Sequence, residues 1–314
     1  MKHGRILVDG DPVIYRAAFA CQQTYYHIVF ESASGLELRS EIYEGDPREQ
    51  IKAMAQLGWT VNQRWTEVKP GDFQIAKWAV DAQMQGIYRH CKEKMGGKPS
   101  MELIISGKGN YRNDVAKMAG YKANRKDTPK PVYYEEVKAY LTKNWSGRVV
   151  NGREADDEVS ILMRQATADG TPCMLATIDK DLDQIPGWHY DYNNHVFYDI
   201  SAEEGTQLFY AQAMAGDATD NIPGLPGIGL KKARKMVAEL VEHWDVDEYL
   251  LWDMVVAEYR KRGVKGYWHE ADGHRTAEDV ALEVARLVKL QEYTGQLWSP
   301  PGIPDEVVPG SVDD

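Results

Sequence analysis

Carboxylates follow three of the strands that the sequence predicts. These acidic residues are Asp9, Glu154, Asp156, Asp157, Asp179 and Asp181. Asp9 closes an apolar stretch, the residues at 179 and 181 directly follow another, and the group at 154–157 opens a predicted helix just after Val149-Val150. Because ligands collect at the carboxyl ends of strands in a parallel sheet, we expect these side chains to meet at one sheet edge.

Each acidic group, taken alone, is explained more simply by the capping of a helix or turn. Together at one edge, the carboxylates would repel one another strongly unless a cation neutralised them. An oxygen-only ligand set without histidine or cysteine favours Mg²⁺ or Mn²⁺ over zinc. The set is large enough for two ions, the arrangement that activates water and stabilises the leaving oxygen in phosphodiester cleavage.

A second pattern occupies residues 214–235, where glycines and prolines precede a basic helix. Gly227 and Gly229 open that helix, so its first amides can bind a phosphate and the backbone can approach closely. Lys231 and Lys232, with two further bases at 234 and 235, would add salt-sensitive phosphate contacts. The pattern indicates a helix-hairpin-helix motif that grips the sugar-phosphate backbone without reading bases. A tight connection with a basic exposed face is the alternative.

Two more carboxylates, Asp217 and Asp220, lie just before that hairpin. Their position predicts that the helical region joins the metal site to the nucleic-acid grip.

Alternating strands and helices must position these groups. The sequence predicts strands at 5–9, 101–105, 149–150 and 173–178, a hairpin at 27–30 and 36–43, and helices at 15–21, 47–66, 73–95, 133–141 and from about 154. This order predicts an α/β fold with a mainly parallel sheet flanked by helices. The pattern turns helical after residue 203, and residues 299–314 read as a loose acidic tail.

Composition limits the class of protein. A chain of 314 residues with 43% hydrophobic and 27% charged residues can bury a core and suits a large domain plus a smaller one. We expect no membrane association and no signal peptide, and three scattered cysteines fit a reducing cytoplasm. The net charge of −11 opposes a nucleic-acid partner, but bases concentrate at 107–131 and 231–235.

Five blocks in order make the chain resemble the flap endonuclease-like 5′-nucleases, and most closely the short bacteriophage 5′→3′ exonucleases. The blocks are Val8-Asp9-Gly10-Asp11, Tyr121-Lys-Ala-Asn-Arg125, Glu154-Ala-Asp-Asp157, Thr177-Ile-Asp-Lys-Asp-Leu-Asp183 and the segment 216–229. The resemblance implies a PIN-like nuclease core at 1–203 with a helical arch near 112–131. It also implies a helix-hairpin-helix region at 204–298, followed by the tail at 299–314.

The resemblance assigns roles to individual residues. It implies that the metal ligands are Asp9, Glu154, Asp156, Asp157, Asp179, Asp181, Asp217 and Asp220. Lys122 and Arg125 would contact the scissile phosphate, where cations offset developing charge. Arg112 would contact another phosphate, and Tyr121 would either stack on an unpaired base or pack in the core. The hairpin would also bind K⁺.

One departure from the family pattern concerns the stretch 103–112. A metal carboxylate is expected there, but Ser106 stands near its place and no acid occurs before Asp114. The resemblance implies a divalent-metal-dependent 5′→3′ exonuclease or flap endonuclease acting on DNA with free 5′ ends or flaps, in the host cytoplasm if a phage encodes it. A catalytically weak DNA-structure-binding protein and a nuclease for RNA or RNA–DNA hybrids are the alternatives.

Overall fold

The structure is a computed structural model and describes residues 4–43, 46–126, 128–243, 247–266, 268–269 and 273–308. The strands are β1 (Arg5–Asp9), β2 (Gln22–Ser32), β3 (Glu37–Tyr43), β4 (Trp59–Pro70), β5 (Ser100–Ser106), β6 (Arg148–Val150), β7 (Cys173–Thr177), β8 (Gly187–Asp191), β9 (Val196–Ile200), β10 (Gly216–Asp217), β11 (Ile222–Pro223), β12 (Trp268–His269), β13 (Gly273–His274), β14 (Gln296–Leu297) and β15 (Glu306–Val307). The helices are α1 (Asp11–Ala20), α2 (Pro47–Gln56), α3 (Phe73–Met95), α4 (Arg112–Val115), α5 (Tyr134–Asn144), α6 (Ala155–Ala168), α7 (Ala202–Ala215), α8 (Leu230–His243), α9 (Glu248–Lys261) and α10 (Ala277–Val288).

The chain divides into two compact units. The first comprises Met1–Pro12, Gly86–Pro129 and Trp145–Asp314, and the second comprises Val13–Gln85 and Lys130–Asn144. The sheet of the predicted core and the helices after residue 203 therefore belong to the same unit. The predicted boundary at 203 does not coincide with the division in the structure.

A six-stranded sheet forms the centre of the first unit, in the order β6-β5-β1-β7-β8-β9. All neighbours are parallel except β9, which runs antiparallel to β8. The middle of β1, Ile6–Val8, is fully buried, as is Leu175 of β7. Such continuous apolar strands are typical of a parallel sheet covered on both faces, so the predicted fold class is confirmed. The carboxyl ends of β1, β5, β6 and β7 consequently lie at one edge.

Helices cover this sheet and extend the first unit. The buried side of α6, with Ala155, Val159 and Met163, packs in one cluster with Leu7 and Leu175 of the sheet. A larger apolar cluster joins α7, α8, α9 and α10. The predicted helical region after residue 203 is therefore present.

The second unit holds an antiparallel sheet in the order β3-β2-β4. The predicted hairpin is confirmed, but the helix predicted over 47–66 is wrong. α2 ends at Gln56, and Gly58 adopts a φ of 82°, a left-handed conformation that ends helices. The following β-branched and aromatic residues form β4, which pairs with β2 along its whole length.

Two further expectations are corrected. Among the described residues of 112–131, only α4 and a 3₁₀ turn at Ala123–Arg125 are helical, so the segment of the predicted helical arch is helical only in part. Lys122 at φ 53° and the prolines at 129 and 131 interrupt it. The tail is not loose up to residue 308: β15 pairs with β14, and Asp305 accepts a hydrogen bond of 2.8 Å from the Ser299 amide. Residues 309–314 lie outside the described part.

Candidate metal centre

Asp9 lies at the carboxyl edge of the central sheet. Its side chain is only 1% exposed, and Thr177 at the end of β7 donates a hydrogen bond of 3.0 Å to Asp9 Oδ2. Asp179 follows β7 and caps the next turn, where its Oδ1 accepts a hydrogen bond of 2.9 Å from the Asp181 amide. Adjacent parallel strands thus bring their terminal acids together, as predicted.

Burial and mutual repulsion raise the pKa values of these carboxyl groups. Burial, reinforced by the charges of Asp11 and Asp179, raises the pKa of Asp9 to about 8. Burial also raises the pKa of Asp156 well above its ordinary value, and the charges of Asp9 and Glu154 raise it further. For Asp181, burial and the charge of Asp179 raise the pKa to about 7. A bound cation would remove this repulsion.

The two acids of the β10-β11 segment complete the cluster. Asp217 and Asp220 line a cavity of about 40 Å³ together with Glu154, Asp156 and Asp181. Burial raises the pKa of Asp220 despite its cationic neighbours. The structure therefore brings the predicted metal carboxylates into one cluster, which we call the carboxylate cluster, with one exception.

That exception is Asp157. Its side chain is 0% exposed and receives two hydrogen bonds from Arg112, of 2.6 and 2.9 Å. The amides of Gln291 and Glu154 donate to the same carboxylate at 3.2 and 3.3 Å. Both oxygens are thus engaged inside the protein, and we withdraw Asp157 from the candidate metal ligands.

Arg112 is correspondingly not available to a phosphate. It is 2% exposed, and besides Asp157 its guanidinium donates to the carbonyl oxygens of Leu287 at 2.8 Å and Lys289 at 3.0 Å. The predicted phosphate contact is corrected: Arg112 ties α4 to the start of α6 and to the end of α10.

Tyr121 is a packing residue, which the sequence left as one of two alternatives. It is 8% exposed and belongs to the apolar cluster of the C-terminal helices. Its hydroxyl lies between two carboxylates, 2.8 Å from Glu154 Oε2 and 2.9 Å from Asp220 Oδ2. Base stacking by this ring is therefore not supported.

The two predicted catalytic cations lie on the carboxylate cluster. Lys122 forms an ion pair with Glu154 and lies 3.5 Å from Asp220 Oδ2. Arg125 contacts Asp220 Oδ1 at 2.5 Å. Burial alone would raise the pKa of Glu154, but the neighbouring Arg112 and Lys122 lower it below its ordinary value. Both cations are thus positioned beside the candidate metal ligands.

Asp11, which is not among the predicted ligands, is a further member of the cluster. Its Oδ1 accepts a hydrogen bond of 3.1 Å from the Ser106 amide. The Ser106 hydroxyl makes a different contact: its Oγ accepts a hydrogen bond of 2.8 Å from the Ala155 amide at the start of α6. The signal was present in the sequence, since Asp11 is the second acid of Val8-Asp9-Gly10-Asp11.

The donor set fits a hard divalent cation. Within the described residues, no three carboxylate, histidine or cysteine side chains are already arranged to coordinate one ion. Mg²⁺ nevertheless keeps several waters and is commonly held by only one or two carboxylates, so a looser oxygen cluster suits it. Asp9, Asp156, Asp179 and Asp181 are the residues that could hold such an ion.

The glycine-rich segment joins α7 to α8 through the short ladder β10-β11. A Cβ on Gly224 would lie 2.1 Å from the Ala215 carbonyl, so the backbone crossing requires glycine there. Gly227 adopts a φ of 72°, and a Cβ on Gly229 would meet open space. Lys231 and Lys232 are exposed and form no ion pair with another described residue.

No family model matches the chain. Individual proteins nevertheless do match it. The chain is 30% identical over 247 residues to DNA polymerase I of Chloroflexus aurantiacus, which covers 73% of this chain and 21% of the polymerase. It is 33% identical over 129 residues to flap endonuclease Xni of Shewanella baltica, covering 37% of this chain and 49% of that protein. The chain therefore spans about a fifth to a half of these relatives.

These matches confirm the resemblance that the five blocks indicate: the chain is similar to the flap endonuclease-like 5′-nucleases. Two solved structures from bacteriophage T5 are also similar. One is a 5′-exonuclease with bound zinc, with a TM-score of 0.48 and 16% identity over 67% of this chain and 80% of that chain. The other is a flap endonuclease variant in a complex with DNA and metal ions, with a TM-score of 0.47 and 14% identity over 92% of this chain and 89% of that chain.

No helix in the described ranges combines the length and apolar character that a crossing of the bilayer requires.

Proposed function

We propose that the chain is a divalent-metal-dependent 5′-nuclease that hydrolyses phosphodiester bonds of DNA, as a 5′→3′ exonuclease or a flap endonuclease. Its substrates are DNA molecules with free 5′ ends or 5′ flaps. The cofactor is Mg²⁺ or Mn²⁺, with two ions in the complete site, and the hairpin before α8 takes up K⁺. The sequence similarity to flap endonuclease Xni supports this proposal.

The carboxylate cluster is the observation that carries this proposal. Acids from the end of β1, the start of α6, the turn after β7 and the β10-β11 hairpin converge there, and Lys122 and Arg125 lie on the same cluster. A protein that only bound DNA would gain nothing from so much negative charge beside a phosphate. Metal-assisted hydrolysis, in contrast, requires clustered carboxylates to hold the ions.

In this proposal the carboxylates hold the ions, and the two cationic side chains orient the phosphate. Divalent ions bound here would activate water and neutralise charge on the scissile phosphate. Asp9, Asp156, Asp179 and Asp181 would hold them. Lys122 and Arg125, which pair with Glu154 and Asp220 in this structure, would turn towards the phosphate of a bound substrate, where their charge would stabilise the transition state.

A second surface would bind the DNA at a distance from the reacting phosphate. The exposed glycines at 227 and 229 leave the first amides of α8 accessible, and Lys231 and Lys232 extend this surface along the helix. Such contacts go to the sugar-phosphate backbone, so they fix the position of the substrate without selecting its sequence.

Cleavage of a 5′-overhang duplex, labelled at either end, tests the proposal. We expect products only with Mg²⁺ or Mn²⁺, none with EDTA, and loss from the 5′ end first. Asp179→Asn should abolish cleavage while leaving duplex binding intact, whereas Asp253→Asn, an exposed acid on α9, should cleave normally. Tight binding with no cleavage in either metal would support the DNA-binding alternative, and cleavage confined to a hybrid strand would support the RNA–DNA alternative.

A further inference from the structure

We propose that Asp11 is an additional metal-binding carboxylate, delivered from the start of α1 to the end of β5, whose last residue is the uncharged Ser106. The inference rests on the proposed metal-dependent function and concerns which residues of this chain complete the site.

The backbone after β1 places Asp11 there. β1 and β5 are parallel neighbours, with Asp9 opposite Ile104. The Gly10 amide donates a hydrogen bond of 2.8 Å to the Ile104 carbonyl oxygen, so the chain turns directly over the end of β5. A Cβ on Gly10 would lie 2.5 Å from that oxygen, which only glycine avoids. The next residue, Asp11, therefore arrives beside Ser106.

The contacts of Asp11 leave one oxygen available. Oδ1 accepts the hydrogen bond from the Ser106 amide, and the Asp11 amide lies 3.4 Å from Asp9 Oδ1. Oδ2 has no hydrogen-bond partner in the part of the chain that the structure describes, and Asp11 pairs with no lysine or arginine there. An acid held against Asp9 without a cation is suited to receive one, directly or through a bound water.

A structural role must be separated from this one. Asp11 is the first residue of α1, where a carboxylate is favoured by the helix dipole. If that were its only task, removing the charge would lower the melting temperature of the metal-free protein and leave metal binding unchanged. If Asp11 serves the metal site, removing the charge relieves repulsion with Asp9 and weakens metal binding.

Calorimetric titration with Mn²⁺ of the full chain distinguishes the two roles. Asp11→Asn retains an acceptor for the Ser106 amide and should bind Mn²⁺ at least about tenfold more weakly, whether the lost oxygen contacts the ion directly or through a bound water. Its metal-free melting temperature should equal or exceed that of the wild type. Asp253→Asn removes the same charge from an exposed position on α9 and should change neither quantity.

Moving the carboxylate provides a second, independent measurement. Asp11→Ser should weaken Mn²⁺ binding, and adding Ser106→Asp to it should restore most of the affinity, because the acid returns to the same place on the neighbouring strand. An aspartate at 106 also offers an oxygen acceptor to the Ala155 amide, which donates to Ser106 Oγ in the wild type.

The outcomes separate this inference from the proposed function. If Asp179→Asn loses Mn²⁺ and Asp11→Asn binds it like the wild type, the assignment of Asp11 is overturned and the metal site stands. If the metal-free melting temperature of Asp11→Asn falls while Mn²⁺ affinity is unchanged, Asp11 is a helix-start residue only. If the wild type binds no Mn²⁺ or Mg²⁺, both proposals are overturned.

Discussion

Arg112 joins three parts of the first unit through a single buried guanidinium. It donates to Asp157 at the start of α6 and to the carbonyl oxygens of Leu287 and Lys289 at the end of α10. Breaking a buried ion pair on one side is costly because the remaining charge stays buried without its partner. The pair is therefore a structural support for the helix that carries Glu154 and Asp156.

We accordingly predict that Arg112→Met lowers the free energy of unfolding by about 3–5 kcal/mol, the usual cost of orphaning a buried charge. Urea denaturation of the metal-free protein measures this. Arg125→Met is the matched control, since Arg125 is 45% exposed and its loss should cost less than about 1 kcal/mol. A fully stable Arg112→Met protein with weakened DNA binding would instead restore the phosphate-contact interpretation.

Residue types alone identified most of the carboxylate cluster, because strands of a parallel sheet must bring their terminal acids to one edge. They could not show which acids remain available. Asp157 is one residue from Asp156 in sequence, yet it faces Arg112 across the fold and is saturated with hydrogen bonds. The sequence also places Tyr121 near the site, but only the packing of the C-terminal helices decides that its ring is buried.

At the scale of elements, α8 carries the exposed basic surface of the helical region. Lys231 and Lys232 lie in its first turn and are exposed, while Ala233 and Val237 on the opposite side are buried. This amphipathic arrangement fixes the lysines on the outside of the hairpin.

The double variant Lys231→Ala/Lys232→Ala should bind duplex DNA more weakly at low salt. Each lost phosphate contact should reduce the slope of log K against log salt by about 0.9, so the slope should fall by nearly two. Fluorescence anisotropy at several salt concentrations measures this slope. Lys52→Ala/Lys143→Ala removes the same charge from exposed positions on α2 and α5 and should leave the slope unchanged. Equal slopes for both variants would remove α8 from the DNA-binding surface.

Elements with a strong local signal were predicted well. The apolar runs of β1 and β7, the helix start at Glu154 and the glycine crossing before α8 all follow from short-range chemistry. The sequence does not predict β4, because the helix signal of α2 continues into a stretch whose strand form depends on pairing with β2. The arch was expected from the family alone, and the chain's own Lys122 conformation and prolines interrupt it.

At the scale of the whole molecule, the net charge of −11 is distributed unevenly, with the first unit holding both the acids and the basic hairpin. Concentrating buried acids in one place has a thermodynamic consequence. In the metal-free protein, Asp9 with a pKa of about 8 and Asp181 with a pKa of about 7 hold protons that the unfolded chain has already released. Stability therefore falls as the pH rises towards about 8.

We predict that the melting temperature of the metal-free protein decreases between about pH 7 and pH 9, and that Asp9→Asn reduces this decrease. His189, whose pKa burial lowers from 6.5, acts in the opposite direction but only below this range. Mg²⁺ should raise the melting temperature more at pH 9 than at pH 7, since it binds deprotonated carboxylates. Differential scanning calorimetry with Mg²⁺ and with EDTA tests both statements. If wild type and Asp9→Asn lost stability in parallel across this range, the buried carboxylates would not be the groups that titrate.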